Sequence, residues 1–219
     1  GTLATVAGTV SSITGTAMGH EDSAALQAAM NSGGLEVELP IGTYNLKDTL
    51  TVPINVTLKC DGGSSLQGLE AKPVVDRINT KIAGTLDLRG STTNCTINGN
   101  GIATVGLKLG ILAGNHVYDT LISRVNGDGL RMVGTQNANI HNLHISAGVI
   151  NCITMIDEGT RAPGANVIDG MSECGPHTGY SLDLEGTADT ATHRAIYNHI
   201  SGYQFEGNAF STVTEQIHA

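Results

Sequence analysis

Gly106-Leu107-Lys108-Leu109, Gly129-Leu130-Arg131-Met132, Cys152-Ile153-Thr154-Met155 and Gly179-Tyr180-Ser181-Leu182 follow one another at near-regular intervals, and Gly207-Asn208-Ala209-Phe210 continues the series more loosely. Counted on the second residue, the steps are 23 (Leu107 to Leu130), 23 (to Ile153), 27 (to Tyr180) and about 28 residues. Self-similarity at a near-fixed period marks a structural repeat. A second column advances in the same phase, through Ile122-Ser123, Ile145-Ser146, Met171-Ser172 and Ile200-Ser201.

Inside each unit, short apolar-alternating pieces are broken by Gly, Asn, Asp and Thr, and nothing after residue 32 has the length and 3.6-residue periodicity of a helix. The units are therefore coils of strands. One such coil cannot bury its inward side chains alone, but coils stacked about 4.8 Å apart merge them into one core. The expected fold is all-β, a right-handed parallel β-helix, with Leu107, Leu130, Ile153 and Leu182 near one inward-facing column. Leucine-rich repeats need a denser Leu framework with a fixed Asn, and a β-sandwich would show strands without a common phase.

Composition fits a narrow coil interior: 29 Gly, no Trp, five Tyr and two Phe leave the core to small and branched aliphatic residues. The net charge of −9 is unevenly spread, with nine acids against Arg161 and Arg194 after residue 149. Such a surface repels phosphate backbones and anionic membranes, so neither nucleic acid nor membrane insertion is expected. No apolar run is long enough to span a bilayer. Cys60, Cys95, Cys152 and Cys174 show no C-x-x-C spacing and read as small buried hydrophobes in preference to disulfides. The triplets Asn55-Val56-Thr57 and Asn94-Cys95-Thr96 match the glycosylation pattern, at a frequency that chance explains in so Asn- and Thr-rich a chain.

The front of the chain differs from the rest. Residues 22–31 form the clear helical stretch: Asp22 is set to cap the first amides, Leu26 and Met30 lie one turn apart, and Asn31-Ser32-Gly33-Gly34 ends the run. Strand alternation follows through Leu35, Val37 and Leu39, and then Leu50, Val52, Val56 and Leu58. A small amphipathic helix before the first coil would cover the open end of the solenoid, which otherwise exposes core and strand edges. The division expected is a lead-in over residues 1–20 and one β-helix domain over 21–219, with the helix at about 22–31 and coils from about 35 to 219.

Glu21-Asp-Ser-Ala-Ala-Leu-Gln-Ala-Ala-Met30, Leu39-Pro-Ile-Gly-Thr-Tyr44 and Val52-Pro-Ile-Asn-Val-Thr-Leu-Lys59 resemble the opening of the pectate-lyase-like β-helix superfamily, many of whose members are bacteriophage tailspikes and tail-fibre depolymerases. The likeness is close over residues 21–59, and the repeats extend it to about residue 210. Upstream, Ser12 to His20 departs from the D-F-G-A-x-G-D-G run usual there. The resemblance implies a homotrimeric protein of the virion tail or extracellular space that binds a bacterial surface polysaccharide, capsule or O-antigen. Of the outcomes, hydrolysis leads; a lyase and a non-catalytic receptor-binding or structural spike are the alternatives.

Candidate chemistry follows from the phase. The 27-residue step sets Glu158 beside Glu185, with Asp157 and Asp183 flanking them, and paired carboxyl groups are what glycoside hydrolysis needs. The competing reading is that these four acids are solvated turn residues. Asp128, Asn151, Thr178 and Glu206 fall in another column, where Asp128 and Glu206 are too far apart to act on one bond and are candidate groove residues instead. Tyr180, Tyr203 and Arg131 join them as substrate-binding candidates; the plainer reading of Asp128 is an ordinary Asn126-Gly127-Asp128-Gly129 turn. Tyr180, Tyr197, Tyr203, Phe205 and Phe210 suit a sugar platform, a subunit interface or a widening core. Lyase chemistry on uronates needs cations, of which the last third has only Arg161 and Arg194; Arg124 and Arg131 could serve an earlier patch, but the acidic balance of the last third favours hydrolysis of a neutral or weakly charged glycan. His141 and His144 at i, i+3 diverge on a strand, and there is no D-x-D pattern, so no metal and no cofactor is expected. The tail, Ser211 to Ala219, still alternates as if another strand were starting, which suggests a longer chain or a covering partner.

Overall fold

A computed structural model describes residues 21–32, 36–53, 56–60, 64–77, 95–110, 116–146, 148–157, 163–169, 172–175, 177–185, 198–205 and 217–218. Among these residues there is one helix, Ser23–Asn31, and the strands pair in parallel throughout. Two sheets run the length of the stack, one of seven strands and one of nine, and Glu36–Leu39 pairs separately with Thr57–Cys60. This is an all-β parallel solenoid. Among the described residues, no helix is long and apolar enough to cross a membrane.

The seven-stranded sheet contains the tetrapeptides that carry the repeat. Leu50, Val75, Leu107, Leu130, Ile153 and Leu182 stand in register strand after strand, all buried, and the register continues to Ile217. The inward column expected through Leu107, Leu130, Ile153 and Leu182 is thus present. Counting by tetrapeptides would have put Tyr180 beside Ile153; the pairing falls two positions later, on Leu182.

The nine-stranded sheet buries Tyr44, Leu66, Ile97, Ile122, Ile145 and Cys174 in one column, and Val117, Ile140 and Ile168 in another, with Ile200 partly buried next to Ile168. Ile122 and Ile145 neighbour each other as their spacing implied. The third member is Cys174 where Met171 was expected, and Ile200 belongs to the second column. The reason is a bend. The strands His116–Ser123 and Asn139–Ile145 carry Asp119 and Asn142 at φ 45° and 53°, and Asn142 Nδ2 donates to Asp119 Oδ1 at 2.9 Å. Asn and Asp tolerate this left-handed conformation better than most residues. On the next coil the partners come from two strands: Asn139 to His141 pair with Val167–Asp169, and His144 and Ile145 pair with Ser172–Cys174.

The helix packs on the ends of both long sheets. Gln27 Nε2 donates to the Thr51 carbonyl and its Oε1 accepts the Thr51 N–H, both at 2.8 Å, so a side-chain amide completes the backbone pairing of the strand Leu50–Val52. Asp22 does not cap the helix. Its carboxylate accepts the Asn45 N–H at 2.8 Å and its own N–H donates to the Asn45 carbonyl, while Glu21 takes the Ser23 N–H at 2.6 Å. The edge of Thr43–Leu46 offers Asp22 a backbone donor, which wins over the helix amides.

The cysteines also depart from expectation. Cys152 and Cys174 form a disulfide with Cα atoms 6.1 Å apart, and Cys60 is disulfide-bonded as well. Stacking explains the first of these bonds. A Cβ on Gly129 would meet Ile145 Cγ2 at 2.7 Å, and one on Gly106 would run into Ile122. Cys152 is the next residue in the Gly106, Gly129 row and Cys174 the next in the Ile122, Ile145 row. A crossing that two coils fill with Gly against Ile is filled by two sulfurs in the third.

Candidate functional site

Between the buried rows of the seven-stranded sheet runs an outward one: Thr51, Asp76, Lys108, Arg131, Thr154 and Asp183 occupy matching positions on successive strands. Alternation along a strand puts Asp183 and Glu185 on the same side, opposite Leu182 and Leu184. The row is rich in charge. Lys108 Nζ meets Asp76 Oδ2 at 3.2 Å, and Arg131 Nε donates to Asp128 Oδ2 at 2.6 Å.

Asp128 sits at the entry of its strand and is buried. Asn151, next in register, donates from Nδ2 to Asp128 Oδ1 at 3.1 Å and reaches Asp183 Oδ2 at 3.5 Å, while its Oδ1 accepts the Tyr180 N–H at 2.9 Å. One amide thus bridges two carboxylates from different coils. Glu185 reaches solvent at the end of its strand, yet its carboxyl is held above its ordinary value of 4.5. Partial loss of water around the group acts first, then the charges of Asp183 and Asp128 and a hydrogen bond with Asp183, with Arg131 opposing them. Thr154, between Arg131 and Asp183, is buried, and its Oγ1 has no hydrogen-bond partner among the described residues.

The expected residues are therefore distributed as follows. Asp183 and Glu185 lie together with Asp128 and Arg131. Opposite Glu185 stands Ile156, and the Asp157 N–H donates to the Glu185 carbonyl at 3.0 Å. Glu158, the expected partner of Glu185, lies outside the described residues, as does Glu206. Asp157 is buried at the end of its strand. Tyr180 enters through its backbone. Tyr203 belongs to a short strand paired with Ser172–Cys174, and its side chain lies outside the description. Asn151 neighbours Asp128 as their common phase implied. Thr154 is the site residue that sequence reasoning passes over; its place in register with Arg131, one coil earlier, is the available signal.

On the other sheet, His141 Nδ1 contacts Asp169 Oδ1 at 2.6 Å on a half-exposed face beside Tyr118. Inside the stack, Cys152, Cys174 and His177 bring two sulfurs and an imidazole nitrogen within 4.8 Å of one another.

No protein-family description and no curated protein matches the chain. Solved structures do. The surface protein and adhesin PfbA of Streptococcus pneumoniae is similar at a TM-score of 0.51 and 14% identity, over 86% of this chain and 57% of that one. This likeness supports the solenoid fold, and the chain spans little more than half the length of that adhesin. ORF18 of Geobacillus virus E2 (TM-score 0.42, 14% identity, 86% of this chain, 45% of that one) and a family GH82 iota-carrageenase from A. fortis (TM-score 0.40, 12% identity, 75% and 54%) are more distant.

Proposed function

We propose that the chain is a right-handed, helix-capped β-helix of the phage tailspike type, a single domain over residues 21–219, that binds and hydrolyses a bacterial surface polysaccharide outside the cell or on a virion tail. The observation that carries this reading is the Asp183 and Glu185 pair on one outward strand face, with the Glu185 carboxyl pushed above its ordinary value by partial desolvation and by the charges of Asp183 and Asp128. A carboxyl group kept protonated can donate to a leaving glycosidic oxygen, and a second carboxylate can act on water or the sugar carbon. In this scheme Glu185 is the general acid and Asp183 its partner. Asn151 and Arg131 orient Asp183 and Asp128. The opening motif at residues 21–59 adds the resemblance to tailspikes, and with it a parallel homotrimer.

A second reading is a non-catalytic glycan-binding spike. It is favoured by the closure of the network, since Asp128 is already neutralised by Arg131 and Asp183 is buried.

Incubation with a panel of purified capsular and O-antigen polysaccharides decides between them. Hydrolysis produces new reducing ends without unsaturated-uronate absorbance. Glu185→Gln and Asp183→Asn should each cut turnover about 100-fold or more, as loss of a general acid or base does, while binding survives. Binding without cleavage in the parent chain selects the second reading; unchanged turnover in both variants removes this pair from the mechanism.

A further inference from the structure

We propose that Cys152, Cys174 and His177 form a redox-gated site for a thiophilic divalent cation of the zinc type, closed as a disulfide under oxidising conditions and open to metal when the thiols are reduced. All three residues are buried. His177 is in register with Val149 of the preceding coil, so a position that holds a valine one layer earlier here holds an imidazole. The crossing Gly129 against Ile145 becomes Cys152 against Cys174 in the same layer. Three substitutions of apolar or absent side chains by metal-ligating ones thus coincide at one level of the stack.

The spacing of Cys174 and His177 suits a metal, and reduction frees the two sulfurs, bonded to each other here, to separate around it. Zinc holds sulfur at about 2.3 Å and imidazole nitrogen at about 2.0–2.1 Å in a tetrahedron, which sets sulfur and nitrogen about 3.6 Å apart. Cys174 Sγ lies 3.5 Å from His177 Nδ1. The ring is also oriented from behind, because Nε2 meets Ser181 Oγ at 3.0 Å. Such a partner on the second nitrogen is the usual support of a ligating histidine. In the disulfide form Nδ1 lies 3.0 Å from the Gly175 carbonyl, where it donates its proton; ligation requires the other tautomer, with Nε2–H donating to Ser181. Two thiols of a reductant break the S–S bond, leave as their own disulfide and yield two cysteine thiols. Binding of the cation then releases two protons as the thiolates form.

The test compares oxidised and reduced chain after chelator treatment. With Co²⁺ as probe, the reduced chain should take up one equivalent, with sulfur-to-cobalt charge-transfer absorption that Zn²⁺ abolishes, and Zn²⁺ should raise the Tm of the reduced chain alone. His177→Ala should lose the tetrahedral spectrum. Ser181→Ala should weaken metal binding about 10–100-fold, the cost of losing an outer-shell partner. Failure of the reduced parent chain to bind Co²⁺ or Zn²⁺ overturns the proposal without recourse to a variant that might not fold; so does equal uptake by the oxidised chain.

Discussion

Glu185 concentrates the electrostatics of the outward row. Its carboxyl titrates above 4.5 because partial desolvation and two neighbouring carboxylates disfavour its charge. The folded chain therefore holds this proton at pH values where the unfolded chain has released it. Stability contributed by the group is present below about pH 4.5 and is lost as pH rises through the raised value. Thermal melts across that window should show Glu185→Gln gaining on the parent chain as pH rises, and a parallel pH dependence in the two would contradict the assignment. If Glu185 is the general acid, cleavage should fall over the same limb. The two acids were visible in the sequence as Asp183-Leu184-Glu185, and so was the common phase of Asn151 and Asp128. The bridge from Asn151 to Asp183 and the place of Thr154 were not, since their meaning depends on which residues lie one coil away.

At the scale of elements, the helix illustrates both success and failure. Its bounds, its buried Leu26 and Met30 and its place before the first coil were legible from composition and spacing. The fate of its polar residues was not: Gln27 completes the backbone of Thr51, and Asp22 abandons the helix for Asn45. Gln27→Ala should cost about 1–3 kcal/mol, the penalty of leaving a backbone donor and acceptor of the sheet end without their partner, read as a lower denaturation midpoint at unchanged m value. A midpoint indistinguishable from that of the parent chain would mean that the amide is replaceable by water. The strand Asn139–Ile145 shows the complementary case. Its apolar residues Ile140, Leu143 and Ile145 skip from a step of three to a step of two at Asn142, so the bend interrupts the alternation, but the split pairing on the following coil showed only in the fold.

For the whole molecule, the buried row through Leu107, Leu130 and Ile153 is the spine. Ile153→Asp would place a charge in a fully buried column, costing several kcal/mol against a total stability of about 5–15 kcal/mol, and should abolish cooperative folding. A soluble Ile153→Asp chain with a cooperative melt would argue against this stacking. Light scattering addresses assembly: the homotrimer proposed above has three times the 22.6 kDa mass, and a monomer at high concentration would exclude it. The sequence by itself determined the solenoid, because a side chain facing inward on each coil must be apolar wherever coils share a core, and this constraint repeats evenly from Leu107 through Leu130 to Ile153. Leu182 was legible as a member of the inward column, but only the tertiary structure decided that it, and not Tyr180 of the repeating tetrapeptide, pairs with Ile153. Turn segments between coils change length at little cost, so the next step lengthens, from Ile153 to Leu182, without disturbing the row. That shift set Ile156 beside Glu185, brought Cys174 across from Cys152 and joined Asp183 to Asn151: contacts between coils are fixed by stacking, and the lengths of the connections conceal them.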